Sequence, residues 1–287
     1  MDKFSILRCP TCKGRLDGKT SLLCTECKET YSIRNGIPVM LPDSAGSESE
    51  QDTIVEKEFY EAMFGWLRGP EDGHCVVYGH DKLYDFMSGL ERGTVLEVGC
   101  GAGHHSVNLS RKGFQVTSID LSMNGLLAGQ ARASREDQDV FFVCGDIKRL
   151  PFEDNQFDMC FCSLILHHFT GLDGIIKELA RVTKKHFVAF EVNGYDLISY
   201  FRFNVLNPTI GVEGISKNQR ALIPKHLENA LARNGFSKAV IRYEDVHHYI
   251  GTAPDSLKSK MIQSYRKIMK LFPERYSQNK FFLLASK

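Results

Sequence analysis

The chain is predicted to be an α/β protein. It should hold a doubly wound, mostly parallel seven-stranded sheet with an antiparallel edge strand, plus a small cysteine-bearing unit at the N-terminus. Three observations carry this. From Gly93 onward, short apolar runs alternate with helical stretches, the pattern of a parallel sheet covered on both faces. A glycine run, Gly99, Gly101 and Gly103, directly follows the first of those strands. Ahead of all this stand two C-x-x-C pairs, Cys9/Cys12 and Cys24/Cys27.

Residues 1–42 form the first unit. Two C-x-x-C pairs eleven residues apart converge on one tetrahedral Zn²⁺, each pair in a tight turn, so Cys9, Cys12, Cys24 and Cys27 are the predicted ligands of a zinc ribbon. So short a segment buries little core, and metal would supply its folding free energy. With four protein ligands the site is structural. Residues 43–53 are polar and lack apolar periodicity, which reads as a linker.

Residues 54–287 make up the main domain. Thr53-Ile54-Val55-Glu56 has the form of a capping box, opening a helix with Val55, Phe59, Met63, Phe64 and Leu67 on one face. Gly69-Pro70 ends it, and Gly73 to Gly79 is loop. Strands are predicted at Thr94–Val98, Gln115–Ile119, Val140–Val143, Phe157–Cys162, His186–Val192, Lys238–Tyr243 and Lys280–Ala285. Helices are predicted at Leu121–Arg135, Gly174–Lys184 and Pro224–Asn234, the last with proline in its first turn and Gly235 past its end. The final two strands lack a plain helical crossover, so one should run antiparallel at the edge. Inserts fall near 195–220 and 252–276.

Composition narrows the function classes. The 287 residues are 43% hydrophobic and 25% charged with net charge +1, so no global field draws the protein to nucleic acid or acidic membranes. No apolar stretch is long enough to span a bilayer, and the residues before Cys9 leave no room for a signal peptide core. Nine cysteines, four of them in paired knuckles, favour metal binding in a reducing compartment over a disulfide framework. A cytoplasmic location is expected.

The glycine run lets a ligand lie against bare backbone. Asp120, ending the second strand, can hold ribose hydroxyls, so the pair predicts an adenosine-type cofactor. The spacing is G-x-G-x-G, whereas dinucleotide sites use G-x-G-x-x-G.

Read in order, Glu97-Val98-Gly99-Cys100-Gly101-Ala102-Gly103, Asp120, Gly145-Asp146, Leu150-Pro151-Phe152 and Phe157 through Phe169 resemble a class I S-adenosylmethionine-dependent methyltransferase, of the type 11-like kind, over about residues 55–287. The paired cysteines and Gly36-Ile37-Pro38-Val39-Met40-Leu41 resemble the small zinc-ribbon methyltransferase-activator family. The resemblance implies that Gly99, Gly101 and Gly103 approach the methionine and ribose of S-adenosylmethionine. It implies Glu97 near the ammonium group, Asp120 on both ribose hydroxyls, Asp146 and the Ile147 amide on adenine, and the main-chain carbonyl of Cys162 or Ser163 on the methionine amino group. Asp146 could instead cap a helix. Cys100, Cys144, Cys160 and Cys162 read as small apolar fillers.

Methyl transfer from a sulfonium is an in-line displacement, which proximity accelerates and a base assists where the acceptor carries a proton. His167 and His168, just past the fourth strand, are the candidate catalytic bases, with His168 placed slightly ahead by position, though either could only fix the loop. Glu191 is a second candidate. His104 and His105 are expected to line the pocket or face solvent. Neither an Asn-Pro-Pro-Tyr motif nor a Pro-Cys pair follows the fourth strand, which argues against the base-amine and cytosine routes. Tyr195, Tyr200, Phe201, Phe203 and Asn204 either recognise an acceptor or form a packed cap. In the second insert Leu257, Met261, Tyr265, Ile268 and Phe272 fall at helical spacing opposite a basic face, Lys258, Lys260, Arg266, Lys267 and Lys270, which reads as solvated. The expected partner is a small-molecule methyl acceptor, modified at oxygen or nitrogen. RNA methylation of the ribosomal guanine type is an alternative that the near-neutral charge does not favour. A non-catalytic cofactor-binding scaffold is the third possibility. Oligomeric state is not legible in the sequence.

Overall fold

The computed structural model describes residues 3–41, 57–58, 61, 80–169, 171–210, 218–244, 271 and 273–287. The predicted linker, the Gly73–Gly79 loop, Cys75, most of the helix opening near residue 53 and nearly all of the second insert lie outside the described residues.

Eleven described strands share one sheet. The first four are β1 (Leu16–Asp17), β2 (Ser21–Cys24), β3 (Thr30–Arg34) and β4 (Ile37–Met40). The seven predicted strands follow as β5 (Thr94–Val98), β6 (Gln115–Asp120), β7 (Val140–Gly145), β8 (Phe157–Ser163), β9 (Thr183–Val192), β10 (Lys238–Glu244) and β11 (Lys280–Ser286). Their spatial order is β1-β2-β3-β4-β7-β6-β5-β8-β9-β11-β10. Strands β5 to β9 pair in parallel, and the order turns at β5, the switch point where such sheets open a ligand crevice.

The reversed strand is β11, antiparallel to both β9 and β10. It stands beside the outermost strand β10, so the sheet ends in an antiparallel edge as the sequence predicts. The crossover from β9 carries the chain over one face and sets β10 parallel to β9, leaving a gap that β11 fills from the opposite direction. The ribbon also reaches further into the fold than its small size suggests. Its strand β4 pairs in parallel with β7 through Val39 beside Cys144 and Met40 beside Gly145, so the ribbon continues the central sheet.

The helices are α1 (His80–Phe86), α2 (His104–Arg111), α3 (Met123–Arg135), α4 (Asp173–Val182), α5 (Leu197–Tyr200), α6 (Asn207–Ile210), α7 (Pro224–Arg233) and α8 (Glu274–Ser277). Ser122 caps α3, its hydroxyl accepting from the Gly125 amide at 3.1 Å. Helix α4 stops at Val182, two residues before the predicted end. Thr183 is already extended as the first residue of β9, and its hydroxyl turns back to the Leu179 carbonyl at 2.6 Å.

Alternation along the strands divides the core. One face sets Leu96, Val98, Phe187, Ala189, Phe281 and Leu283 against α4 and α7. The other sets Val95, Phe161, Val188, Phe190 and Phe282 against Leu83, Tyr84 and Met87 around α1. Both faces converge at the carboxyl ends of β5, β6, β8 and β9, which carry the candidate site. Among the described residues no helix is long and apolar enough to cross a membrane.

Candidate functional site

The turn after β5 is held by backbone and one carboxylate. Gly99, Gly101 and Gly103 adopt φ of +70°, +50° and +70°, a left-handed conformation that residues with a side chain enter only with strain. At Gly99 there is also no room for one: a Cβ there would lie 2.5 Å from Cγ1 of Ile165, on the turn after β8. Asp120 fastens this turn to β6. One of its oxygens accepts from the Gly101 amide at 2.7 Å and the other from the Ser122 amide at 2.9 Å. Burial lifts the Asp120 carboxyl above its ordinary range, and those amides oppose the rise.

Glu97 is buried under the same turn, at 2% exposure. Its carboxyl meets the Ser106 hydroxyl, which in turn accepts from Ser118 Oγ at 2.9 Å. Burial pushes Glu97 up to about 8 against the pull of Ser106, so the group is mostly protonated at neutral pH.

Opposite the turn, His105 lies fully inside the protein. Its Nδ1 is 2.9 Å from the Tyr84 hydroxyl and its Nε2 is 3.0 Å from Ser163 Oγ, making a chain from α1 through α2 to the end of β8. His105 therefore does not face solvent: one ring nitrogen meets the Tyr84 hydroxyl and the other Ser163, at the end of β8. His104 Nε2 lies 3.1 Å from Arg132 Nη2, within hydrogen-bond reach. Asp146 stands just past β7 and accepts from the Lys148 amide at 2.9 Å, capping the short turn that holds the buried Ile147.

Past the end of β8, Leu164 takes φ +54° as the chain leaves the strand, and its amide donates to the Phe190 carbonyl at 2.8 Å. Glu191, fully buried on β9, receives the next amides: Ile165 at 2.9 Å and Leu166 at 2.7 Å on one oxygen, His167 Nδ1 at 2.8 Å on the other. Despite burial, which raises it, the Glu191 carboxyl is held below the usual range by His167 and those amides. Burial first, then His168, presses His167 down to about 4, so its ring is neutral with Nδ1 donating and Nε2 left as an acceptor. The His168 ring is 4.3 Å from that of His167, and Phe203 meets His167 edge-on at 6.1 Å from the cap formed by residues 197–210.

In the ribbon, the four Sγ atoms of Cys9, Cys12, Cys24 and Cys27 lie within 4.8 Å of one another. Cys9 to Cys27 is 3.6 Å and Cys12 to Cys24 is 3.4 Å. Thiolates arranged tetrahedrally at zinc–sulfur bond length stand about 3.8 Å apart, so the spacing suits the ion. Both knuckles close alike, with Lys13 and Lys28 at φ +62° and +65° and their amides returning to the Cys9 and Cys24 carbonyls. Burial alone would raise Cys9, yet the Tyr31 hydroxyl and the amides of Cys12 and Thr11 bring it to about 6.

Residues 96–188 match the family described as "Methyltransferase domain", and residues 4–36 match the family "Trm112p-like protein". The chain carries a methyltransferase domain. Among curated relatives, the Bacillus subtilis "Putative 23S rRNA (guanine-N(1)-)-methyltransferase YxjB" is 32% identical over 170 residues, 54% of this chain and 55% of that one. A malonyl-[acyl-carrier protein] O-methyltransferase of Serratia marcescens is 34% identical over 139 residues, 47% of this chain and 52% of that one. The chain thus spans about half the length of these relatives. The [4+2]-cyclase SpnF superposes with a TM-score of 0.56 at 20% identity, covering 81% of this chain and 95% of that one. That likeness shows the fold alone, and a cyclase on the same fold means the reaction must be argued from the site.

In this methyltransferase domain the residues fit an adenosyl sulfonium. The crevice floor at Gly99 has no space for a Cβ, Asp120 retains lone pairs for a ribose diol, and a buried Glu97 is poised to ionise beside an ammonium. The turn, Asp120, Glu97 and Ser163 come together at the carboxyl edge, while Asp146 and Ile147 follow two strands along. Sequence reasoning missed the Tyr84–His105–Ser163 chain, whose members lie far apart in sequence without a shared motif. It also offered Glu191 as a base, whereas its oxygens are committed to three N–H groups.

Proposed function

We propose that the chain transfers a methyl group from S-adenosylmethionine to an oxygen or nitrogen of a small-molecule acceptor. The observation that supports this best is the left-handed glycine turn tied to Asp120 over a buried, protonated Glu97. When bound, the cofactor supplies an electrophilic methyl on a positively charged sulfur. Gly99, Gly101 and Gly103 offer bare backbone to its methionine and ribose, Asp120 accepts from the ribose hydroxyls, Glu97 faces the ammonium, the Ser163 carbonyl meets the amino group, and Asp146 with the Ile147 amide recognises adenine. His167 is the base: Glu191 holds its Nδ1 proton, leaving Nε2 to take the acceptor's proton. His168, packed on the same ring, orients it. In-line positioning supplies most of the acceleration.

The ribbon, proposed as residues 1–42 joined through 43–53 to the domain at 54–287, would hold one Zn²⁺ on Cys9, Cys12, Cys24 and Cys27. The ion is structural, since no ligand position is left open. A reducing cytoplasm suits four such thiols.

A second reading has support in the Bacillus relative's name: the acceptor nitrogen would then lie on RNA. Binding of RNA that weakens steeply with salt would favour it. The deciding experiment for methyl transfer is calorimetry with S-adenosylhomocysteine on the wild type and Asp120→Ala, followed by transfer of labelled methyl into a metabolite extract. Wild-type binding that the substitution abolishes supports the reading, and absence of binding rejects it.

A further inference from the structure

The Tyr84–His105–Ser163 chain has no part in the reaction described so far, although it ends at the cofactor crevice. His105 and Ser106 are neighbours in the first turn of α2, and each reaches a different strand. Ser106 meets the carboxyl of Glu97 on β5, and His105 Nε2 lies 3.0 Å from Ser163 Oγ at the end of β8. The parallel register sets Glu97 beside Phe161, two residues before Ser163, so Glu97 and Ser163 project from one face of the sheet. Cys162 pairs with Val98, which puts Ser163 level with Gly99.

The chain has a direction. Tyr84 and His105 are buried, the imidazole 5.1 Å from the ring of Phe161, whereas Ser163 is partly exposed. A phenol is a stronger donor and a weaker acceptor than an alcohol, and burial holds the Tyr84 hydroxyl above its ordinary range, so it keeps its proton. With a neutral ring, Tyr84 donates to Nδ1 at 2.9 Å, which leaves Nε2–H to donate to Ser163 Oγ. Among the described residues Ser163 Oγ has no second hydrogen-bond partner, so its own proton is left for a ligand. The backbone beside it has no donor to spare. The Gly99 amide is given to the Ile119 carbonyl at 2.8 Å, Gly101 to Asp120 at 2.7 Å and Gly103 to the Cys100 carbonyl at 2.9 Å.

We propose that Tyr84 and His105 are positioning residues that turn the Ser163 hydroxyl into the crevice as a donor for the carboxylate of the cofactor's methionine end. The proposal rests on S-adenosylmethionine as the methyl donor. The methionine end carries an ammonium and a carboxylate on one carbon. Glu97 answers the ammonium, and with the glycine amides spent the carboxylate needs a side-chain donor on the same face. A hydroxyl that already accepts from an imidazole N–H is fixed in orientation and polarised toward donation, so it meets a carboxylate without giving up another acceptor. One turn of α2 thus holds both groups, Glu97 through Ser106 and Ser163 through His105.

The test uses the full chain and two ligands, S-adenosylhomocysteine and its decarboxylated analogue, which keeps the adenosine, the sulfur and the amine. Calorimetry should show S-adenosylhomocysteine binding weakened about tenfold or more in Ser163→Ala, with the analogue changed less than about twofold. Tyr84→Phe and His105→Leu should show the same selectivity at smaller size, about three- to tenfold. Each variant is compared with itself across the two ligands, so a general loss of packing would weaken both alike. Nitrogen NMR of the wild type, which needs no variant, should find the His105 proton on Nε2. Equal weakening of both ligands in every variant, unchanged binding of both in every variant, or an Nδ1–H tautomer of His105 overturns the proposal and leaves methyl transfer standing. A wild type that binds neither ligand rejects S-adenosylmethionine as the donor, and the role of Ser163 with it.

Discussion

Glu191→Gln tests the assignment of His167 in a single atom exchange. In the wild type the carboxylate accepts three N–H bonds at 2.7 to 2.9 Å, two from the Ile165–Leu166 backbone and one from His167 Nδ1. The glutamine carbonyl can keep both amides, but those bonds pass from charge-assisted to neutral, a loss of about 1 kcal/mol each. The amide nitrogen then faces His167, where only an acceptor is tolerated. The imidazole must shift its proton to Nε2. Relief from burying a charge offsets part of the loss, so the variant should be less stable by about 2 kcal/mol at most and remain folded. Its base, however, is gone, and turnover should fall on the order of 10²- to 10⁴-fold. Nitrogen NMR of the imidazole reads the tautomer directly, and labelled-methyl transfer reads the rate. An unchanged Nδ1–H tautomer, or turnover within about threefold of wild type, would refute the assignment.

Four further outcomes follow from the same structure. Because the folded pKa of His167, about 4, lies below its ordinary value of 6.5, the folded state binds fewer protons in that window; stability should fall as pH drops from about 6.5 to 4, and His167→Gln should flatten the curve measured by denaturant titration. Glu97 is raised from 4.5 to about 8, so an incoming ammonium should expel close to one proton at pH 7; calorimetry of the homocysteine product in buffers of different ionisation enthalpy should show this, and Glu97→Gln should not. Gly99→Ala should cost about 2–5 kcal/mol, combining left-handed strain with the Ile165 clash, and Ile165→Ala should recover part of it; strict additivity in the double variant would contradict the contact. Metal analysis should find one zinc per chain, and its removal should lower the melting temperature of the whole chain, an outcome negated if the methyltransferase domain melts unchanged.

Local patterns made most of the architecture legible. The seven main strands lie where short apolar runs stand between turn residues, and the glycine turn announced itself because left-handed backbone restricts the residue type. The cysteine knuckles were readable for the same reason, since ligand chemistry and turn geometry both fix the spacing. What stayed hidden depends on distance along the chain. Tyr84, His105 and Ser163 are neighbours only because α1, α2 and β8 converge, and no periodicity relates them. Glu191 was singled out by its place at the end of β9, yet the sequence could not distinguish a free carboxylate from one absorbed by backbone amides.

The junction of ribbon and sheet shows how this limit bears on function. A reading by composition places the ribbon in its own unit, because Cys9 to Cys27 explains itself and the polar residues after 42 read as a tether. Docking, however, is done by groups that leave no pattern. Strand β4 adds to β7 through backbone pairing at Cys144 and Gly145, the Arg8 amide donates to the Pro151 carbonyl at 2.8 Å, and Lys13 Nζ reaches the Leu150 carbonyl at 2.9 Å and Glu178 at 3.1 Å. These contacts bracket Asp146 and Ile147, the segment proposed to meet adenine. A side chain at Gly145 would press on Ile119 and come within 3.8 Å of Met40, so the strand before Asp146 lies between the cofactor side of β6 and the ribbon. A metal held by the knuckles would therefore also support the strand that leads into Asp146, through backbone hydrogen bonds that any sequence of similar shape could make.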